Sequence, residues 1–234
     1  ASSTGWVTAA RECKEASNGK PVLSFGARHL HPAIASVMDR AAIIGGADGV
    51  SSILGGELVG IIPSGTMPHS LILIIGDTVE AARAFHMVHP EISLIVLVDT
   101  FRDEAEEAIR VAREFGRSLY GIRLDTPGER GGVTPELVYE VKARLTQEGF
   151  GHVKIVVSGG LNPDRIKLLS EAGADIFGVG SYISGASPID MTLDLKVVRG
   201  KPTAKRGRIP GITPNQRLKL VYDNLVPEAG VEPA

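Results

Sequence analysis

The 234-residue sequence predicts an α/β fold, an irregular (β/α) barrel of about seven parallel strands with a C-terminal hairpin and tail. Three observations carry that expectation. Short, nearly continuous apolar runs recur along the chain, as parallel strands covered on both faces require. Amphipathic helical stretches separate them, and repeated strand–helix units favour a parallel sheet. The connections are short and the fingerprint GxGxxG is absent, which favours a closed or nearly closed barrel over an open dinucleotide-binding sheet.

The expected strands are VLSFGA (22–27), GVSS (49–52), VGIIPS (59–64), LIVLVD (94–99), LYGIRLD (119–125), KIVVSG (154–159) and IFGVGS (176–181). A helix-like segment opens the chain, and further helical patterns follow at HPAIASVMDRAA, DTVEAARAFHMV, FRDEAEEAIRVAREFG, TPELVYEVKARLTQEG and NPDRIKLLSEAG. Asp77 with Glu80 three residues on, Thr134 before Pro135, and Asn162 before Pro163 are start signals. Gly116, Gly149 and Gly173 are the matching stops. Residues 1–190 are thus expected to form the barrel. From there DLKVVRGKPTAKRGRIPG reads as two short polar strands around an Arg199-Gly200 turn, so 191–234 is expected to be hairpin and tail.

Composition narrows the function classes. The chain is 43% hydrophobic and 22% charged, with 28 Gly and 14 Pro, which is ordinary for a globular protein. A net charge of −2 gives no broad basic field for nucleic acid or an anionic membrane. The single cysteine, Cys13, excludes an internal disulfide and a CxxC metal cluster and suits a reducing, cytoplasmic setting. The N-terminus lacks the pattern of a signal peptide, and the longest uncharged apolar run, around 66–76, is too short to span a bilayer. The start at Ala1 suggests that something once preceded it.

Barrel enzymes carry their chemistry at the carboxyl ends of the strands. Those ends here are Phe25-Gly-Ala-Arg28, the segment after Asp48, Ser64-Gly-Thr with His69 beyond, Asp99-Thr100, Arg123 through Asp125-Thr126, Ser158-Gly159-Gly160, and Gly178-Val-Gly180-Ser181. Two adjacent glycine turns, at Gly159-Gly160 and Gly180, suit a phosphate, whose oxygens need several backbone N–H groups and no Cβ in the way. A helix start near Asn162 adds favourable dipole. Asp99 and Asp125 could accept from ribose hydroxyls or hold Mg²⁺, with helix capping the alternative for Asp99. Phe25 offers a ring to stack on and Arg28 a cation for an anion. Arg123 is a second cation on that rim, or half of a salt bridge. His29 and His31 form an HxH pair with no identifiable third metal ligand. His86, His89 and His152 read as solvent-facing, and RDEAEEAIRVARE as a solvated helix face with i,i+4 pairs. His69, at the mouth of SLILIIG, reads on its own as a core histidine.

Together, LSFGARHLHP, GGADGVS, SGTMPHSLIL, LVDTFRDE, GIRLDTP, VSGGL and GVGSYIS resemble the nicotinate phosphoribosyltransferases, and more broadly the type II phosphoribosyltransferases. The resemblance covers roughly residues 5–206. It implies attack of nicotinate on C1 of phosphoribosyl pyrophosphate, with Mg²⁺, giving nicotinate mononucleotide and pyrophosphate. It makes Phe25 the ring-stacking aromatic and Arg28 the cation for the pyridine carboxylate or phosphate. Asp48 falls where amide-using relatives contact the amide. Arg123 and Asp125 match the ribosyl- and pyrophosphate-binding pair, with Asp99 beside them, and Gly159, Gly160, Gly180 and Ser181 match the 5′-phosphate cradle. His69 falls on the active-site histidine that ATP-coupled relatives phosphorylate, so ATP is an implied co-substrate, although no ATP motif is visible.

Family members also carry an N-terminal α/β sandwich of about a hundred residues, an ordinary domain size. It supplies part of the site, commonly across a dimer interface. The match here begins near Thr4-Gly5, after that domain. The expectation is therefore a fragment, a subunit that needs an N-terminal-domain partner, or a reduced homologue, assembled as a homo-oligomer or with that partner, the hairpin at 195–208 packing on the sandwich. The tail after Gly211 has no cysteines for zinc. The alternatives are a non-catalytic phosphoribosyl-binding half, a quinolinate user, which would want a denser basic cluster, and a nicotinamide user, for which Asp48 is the discriminating position.

Overall fold

A computed structural model describes residues 1–216. The chain divides into two compact units, Ala1–Asp190 and Met191–Ala234.

In the first unit six parallel strands form one curled sheet, flanked by helices: β1 (Val22–Ser24), β2 (Gly49–Val50), β3 (Leu94–Leu97), β4 (Leu119–Leu124), β5 (Lys154–Ser158) and β6 (Ile176–Val179). Their order across the sheet is β2-β1-β6-β5-β4-β3. The register pairs Ser24 with Val50 and Val179, Leu124 with Val157, and Ser158 with Gly178. The carboxyl ends of β1, β4, β5 and β6 therefore lie side by side, and the residues just past them form one rim. Beneath it, Ile122, Leu124, Ile155, Val157 and Phe177 are fully or almost fully buried. Each large apolar side chain so buried contributes about 1.5–3 kcal/mol.

The helices are α1 (Ser2–Ala16), α2 (Pro32–Ile44), α3 (Ile53–Val59), α4 (His69–Ile75), α5 (Thr78–Val88), α6 (Glu104–Phe115), α7 (Pro135–Gln147), α8 (Pro163–Glu171) and the single turn α9 (Ser181–Ser184). The start signals operate as expected. Asp77 accepts from the amides of Val79 and Glu80, Thr134 from Leu137, and Asn162 from Arg165. Gly116, Gly149 and Gly173 follow their helices with φ of +51°, +85° and +106°. Helix α1 crosses α2 where Gly45 admits its backbone, since a Cβ there would sit 2.4 Å from the Val7 carbonyl oxygen. The buried face of α1 holds Trp6, whose Nε1 donates to the Ser184 carbonyl at 3.1 Å, and Cys13, whose thiol burial pushes up to about 12.

The expected strand at 59–64 does not form. Its first residue ends α3, Gly60 caps that helix with φ +72°, and Pro63 has no N–H to give a ladder. One sheet-like contact remains, from the Ser64 amide to the Val50 carbonyl at 2.8 Å. So β2 and β3 are the sheet's two edges, and among the described residues the barrel has six strands rather than seven. The apolar run after His69 is α4, which buries Ile72 and leaves Leu73 and Ile74 exposed.

The charged run on α6 also differs from a solvated face. Glu104 and Glu107 are buried. Thr126 donates to Glu104 at 2.8 Å, and Arg110 binds Glu107 bidentately while reaching Asp77. The Glu107–Arg110 pair is i,i+3, and Arg110 also reaches the start of α5 at Asp77.

In the second unit β7 (Val197–Val198) and β8 (Lys201–Pro202) form the expected antiparallel hairpin. Arg199 and Gly200 both have positive φ, +48° and +75°, as a tight two-residue turn demands. The expected tail lies, from residue 217, outside the described residues. Among the described residues no helix is long and apolar enough to cross a membrane.

Candidate active site

Arg123, near the end of β4, organises the rim. Its side chain would be costly in this apolar surrounding without partners. It finds three: Nε donates to Ser158 Oγ at 2.8 Å, Nη2 to Asp125 at 2.7 Å, and Nη1 to Thr66. Ser158 in turn donates to the other Asp125 oxygen at 2.8 Å. The salt-bridge reading of Arg123 is the one the structure shows, with Asp125. The guanidinium lies 5.6 Å from the centre of the Phe25 ring, within cation–π range. Phe25 is half-buried over β6 because residue 178 is glycine, whose added Cβ would stand 2.5 Å from the ring.

Two cavities share Phe25, Arg28 and Arg123 as a wall. The smaller, about 120 Å³, is lined also by His29, Gly159, Gly160, Gly180 and Ser181. Gly159 and Gly160 hold φ of +91° and +59°, and a Cβ on Gly180 would meet the His29 ring at 2.9 Å. This compact, glycine-walled space with two arginines can take an anion the size of a phosphate. The larger, about 350 Å³, is lined by Ala27, Ser51, Gly65 and Thr66 besides the shared wall, and it can take a flat ring.

His69 and Asp99 stand at the end of β3 and line neither cavity. His69 opens α4, and its Nε2 lies 3.0 Å from Asp99 Oδ2. The Asp99 side chain is 2% exposed and the imidazole 37%. The hydrogen bond from Asp99 raises the histidine's pKa above its ordinary value, helped by the charges of Asp99 and Asp125 and opposed by desolvation and by Arg123. Asp99 does not cap α6, because Asp103 does, accepting from Ala105 and Glu106. Its Oδ1 is buried without a partner, as is the hydroxyl of Thr100.

Asp48 does not join this cluster. It precedes β2, so a parallel sheet puts it at the amino end of the strands, away from the rim. There it accepts from Lys14 at 2.8 Å and from the Val22 amide at 2.8 Å. The two histidines of the HxH pair also part company: His31 caps α2, accepting from Ala33, while His29 turns to the smaller cavity. His152 is exposed, whereas His86 is half-buried with Nδ1 unpartnered. Ser158, Thr66 and Gly178 stood in the sequence only as parts of strand-end stretches, and His29 only as half of an HxH pair. Ser158, His29 and Gly178 line the smaller cavity and Thr66 the larger, although no strand precedes Thr66.

Among the described residues no three or more His, Cys, Asp or Glu side chains form a metal cage. A largely hydrated magnesium ion takes one or two carboxylates plus substrate oxygens. The unpartnered Asp99 oxygen, with Asp125 nearby, fits such a role.

The family model "Quinolinate phosphoribosyl transferase, C-terminal domain" matches residues 7–194. A nicotinate phosphoribosyltransferase of Mycobacterium tuberculosis is 33% identical over 81% of this chain and 42% of its own length. One from Bacillus subtilis is 33% identical over 76% of this chain and 36% of its own. The chain thus spans less than half the length of these curated relatives. The crystal structure of a nicotinate-nucleotide pyrophosphorylase from Pyrococcus furiosus superposes with a TM-score of 0.84 at 48% identity, covering 90% of this chain and 54% of that one. The human nicotinic acid phosphoribosyltransferase, at 17% identity and a TM-score of 0.58, shares the fold. The chain belongs to the quinolinate phosphoribosyltransferase C-terminal domain family, the barrel portion of the type II phosphoribosyltransferases.

Proposed function

We propose that this chain is the barrel of a nicotinate phosphoribosyltransferase, which joins nicotinate to the phosphoribosyl group of phosphoribosyl pyrophosphate and releases pyrophosphate, a step of NAD biosynthesis. The observation that carries the reading is the pair of cavities meeting at Phe25, Arg28 and Arg123: a phosphate-sized space beside a ring-sized one. A phosphoribosyl group whose 5′-phosphate sits against Gly159, Gly160, Gly180 and Ser181 presents its sugar toward Phe25. Nicotinate stacks on that ring with its carboxylate toward Arg28.

Displacement at an anomeric carbon builds positive charge on the sugar and negative charge on the departing pyrophosphate, so the protein mainly positions and stabilises charge. Asp125, held by Arg123 and Ser158, faces the ribosyl side. His69, whose protonated form Asp99 favours, donates toward the leaving group. Asp99 and Asp125 would hold magnesium, which supplies charge neutralisation for the pyrophosphate. Arg28 makes no ion pair among the described residues, whereas Arg123 is committed to Asp125. One unpaired cation beside the ring space supports a base with one carboxylate over quinolinate with two.

The share of relatives that the chain spans supports a second reading, in which the barrel binds phosphoribosyl compounds and turns over only with a further domain, supplied by a partner chain against which the hairpin packs. A cytoplasmic setting and self-assembly belong to the same proposal. Product formation separates the readings. The chain is given phosphoribosyl pyrophosphate and Mg²⁺ with nicotinate, nicotinamide or quinolinate, with and without ATP. Nicotinate mononucleotide alone is expected; a quinolinate- or nicotinamide-derived product overturns the substrate assignment, and binding without turnover favours the half-site. Stimulation by ATP would tie His69 to phosphorylation.

A further inference from the structure

The smaller cavity contains a group that the reading above leaves idle. We propose that His29 is a ligand of the bound phosphate and takes up a proton when the phosphate enters. The proposal rests on the phosphate assignment of that cavity.

The imidazole is exposed on one side and tied to the cavity wall on the other. Its Nδ1 lies 3.0 Å from Ser184 Oγ, and its Cε1 covers Gly180, where a Cβ would come within 2.9 Å. Ser184 is itself buried, and its carbonyl is tied to the Trp6 indole. The same ring edge therefore meets the cavity each time the site is formed.

Proton bookkeeping then fixes the ring's state. Ser184 Oγ also stands 3.2 Å from the Gly180 carbonyl oxygen, which can only accept. With the hydroxyl hydrogen on that carbonyl, the hydrogen on the His29 contact comes from Nδ1, and this Nδ1–H tautomer is part of the proposal. A neutral His29 then carries a bare lone pair on Nε2, and that atom has no hydrogen-bond partner among the described residues. A phosphate dianion offers acceptors only, so contact with Nε2 needs one proton, taken from solvent, with no covalent bond made or broken.

The surroundings favour the neutral form of the free ring and reward the change. Desolvation first, then the positive charge of Arg28, lower the His29 pKa. Arg28 on the same turn, with Arg123 and Asp125 from β4, are the charged groups lining the cavity. Asp125 is already shared by Arg123 and Ser158. The first turn of α2 has no acidic residue, and His31 there caps its own helix. From β5, β6 and α9 come only Ser158, glycines and Ser181. An incoming phosphate, carrying about −1.5 to −2 charges, is then the negative partner the ring otherwise lacks.

Binding of ribose 5-phosphate to the full chain, followed by calorimetry at pH 7 and pH 8 in buffers of different ionisation enthalpy, tests this. The phosphate's own pKa near 6 leaves it mainly dianionic throughout. In the wild type, Kd should rise about five- to tenfold over that unit, with close to one proton taken up. His29→Asn should bind more weakly at pH 7 with Kd nearly level. The exposed position of residue 29 makes the variant a mild one for folding, and the wild-type His29 ring signal, which should move to its protonated position as ligand is added, gives a readout that needs no variant. Equal pH dependence in both proteins, or an unmoved ring signal on saturation, overturns the role of His29 while leaving the phosphate site standing. No binding of ribose 5-phosphate by the wild type removes the phosphate assignment itself, and His29 with it.

Discussion

The ends of β4 and β3 carry one aspartate each, and they are in opposite states. Asp125 has both oxygens partnered: one meets Arg123, the other Ser158, and these two also bond to each other. Asp99 has one oxygen on His69 and another buried with nothing on it. An unpaired buried acceptor forfeits about 1–3 kcal/mol. The partnered end fixes a guanidinium against Phe25 before any ligand arrives, with a lone pair left on each Asp125 oxygen. The other end leaves one buried oxygen without a partner, which the proposed function gives to a donor or cation brought with the substrate.

The sharpest way to break this contrast is Arg123→Ala. It strands Asp125 and Ser158 together and removes the cation over Phe25, so turnover should fall about a thousandfold and stability by about 3 kcal/mol, checked by product assay and thermal melting. A melt as stable as wild type would mean that the network is not scaffold. Next, Gly180→Val drives a side chain into His29, and affinity for phosphoribosyl pyrophosphate should fall about a hundredfold, worth about 2.7 kcal/mol, with the fold kept. Unchanged affinity would move the phosphate elsewhere.

On the Asp99 side, His69→Ala should lower kcat about a hundredfold and change KM little. The wild-type kcat should decline as pH rises through a value above the unperturbed 6.5 or so, because Asp99 favours the charged ring. The pair's contribution to stability follows the same sign: complete below the unfolded histidine's pKa, lost as pH climbs through the raised one. In Asp99→Asn that midpoint should shift downward; an identical midpoint would separate the two residues functionally. The smallest effect is expected for Asp48→Asn, which loosens Lys14 at the far end of the strands by under about 1 kcal/mol and leaves the choice among pyridine bases unaltered.

Much of this was readable from the chain because local rules dominate where capping residues and glycines act alone. Asp77, Thr134 and Asn162 start helices with their own side chains, and Gly159 and Gly160 take the left-handed backbone their turn requires at no steric cost. The strand expected at 59–64 was apolar enough, yet Gly60 and Pro63 outweighed its hydrophobicity. Asp48 was misplaced because a motif match carries no information about which end of a strand it occupies; the Lys14 and Val22 contacts do. The buried Glu104 and Glu107 look solvated in sequence because their partners, Thr126 and Asp77-bound Arg110, are brought by tertiary packing. Likewise Ser158 gains its place between Arg123 and Asp125 only from the register of β4 with β5.

Cys13, the chain's only cysteine, is fully buried in α1 with a thiol that stays protonated far above neutral pH. Thiolate, not thiol, reacts with alkylating probes. The native protein is therefore chemically silent toward them, and an added cysteine would be its sole address. Gly65, on the wall of the larger cavity with open space where a Cβ would go, is the place for one. A fluorophore on Gly65→Cys would report filling of the ring space in real time, in a protein that needs no cysteine removed first.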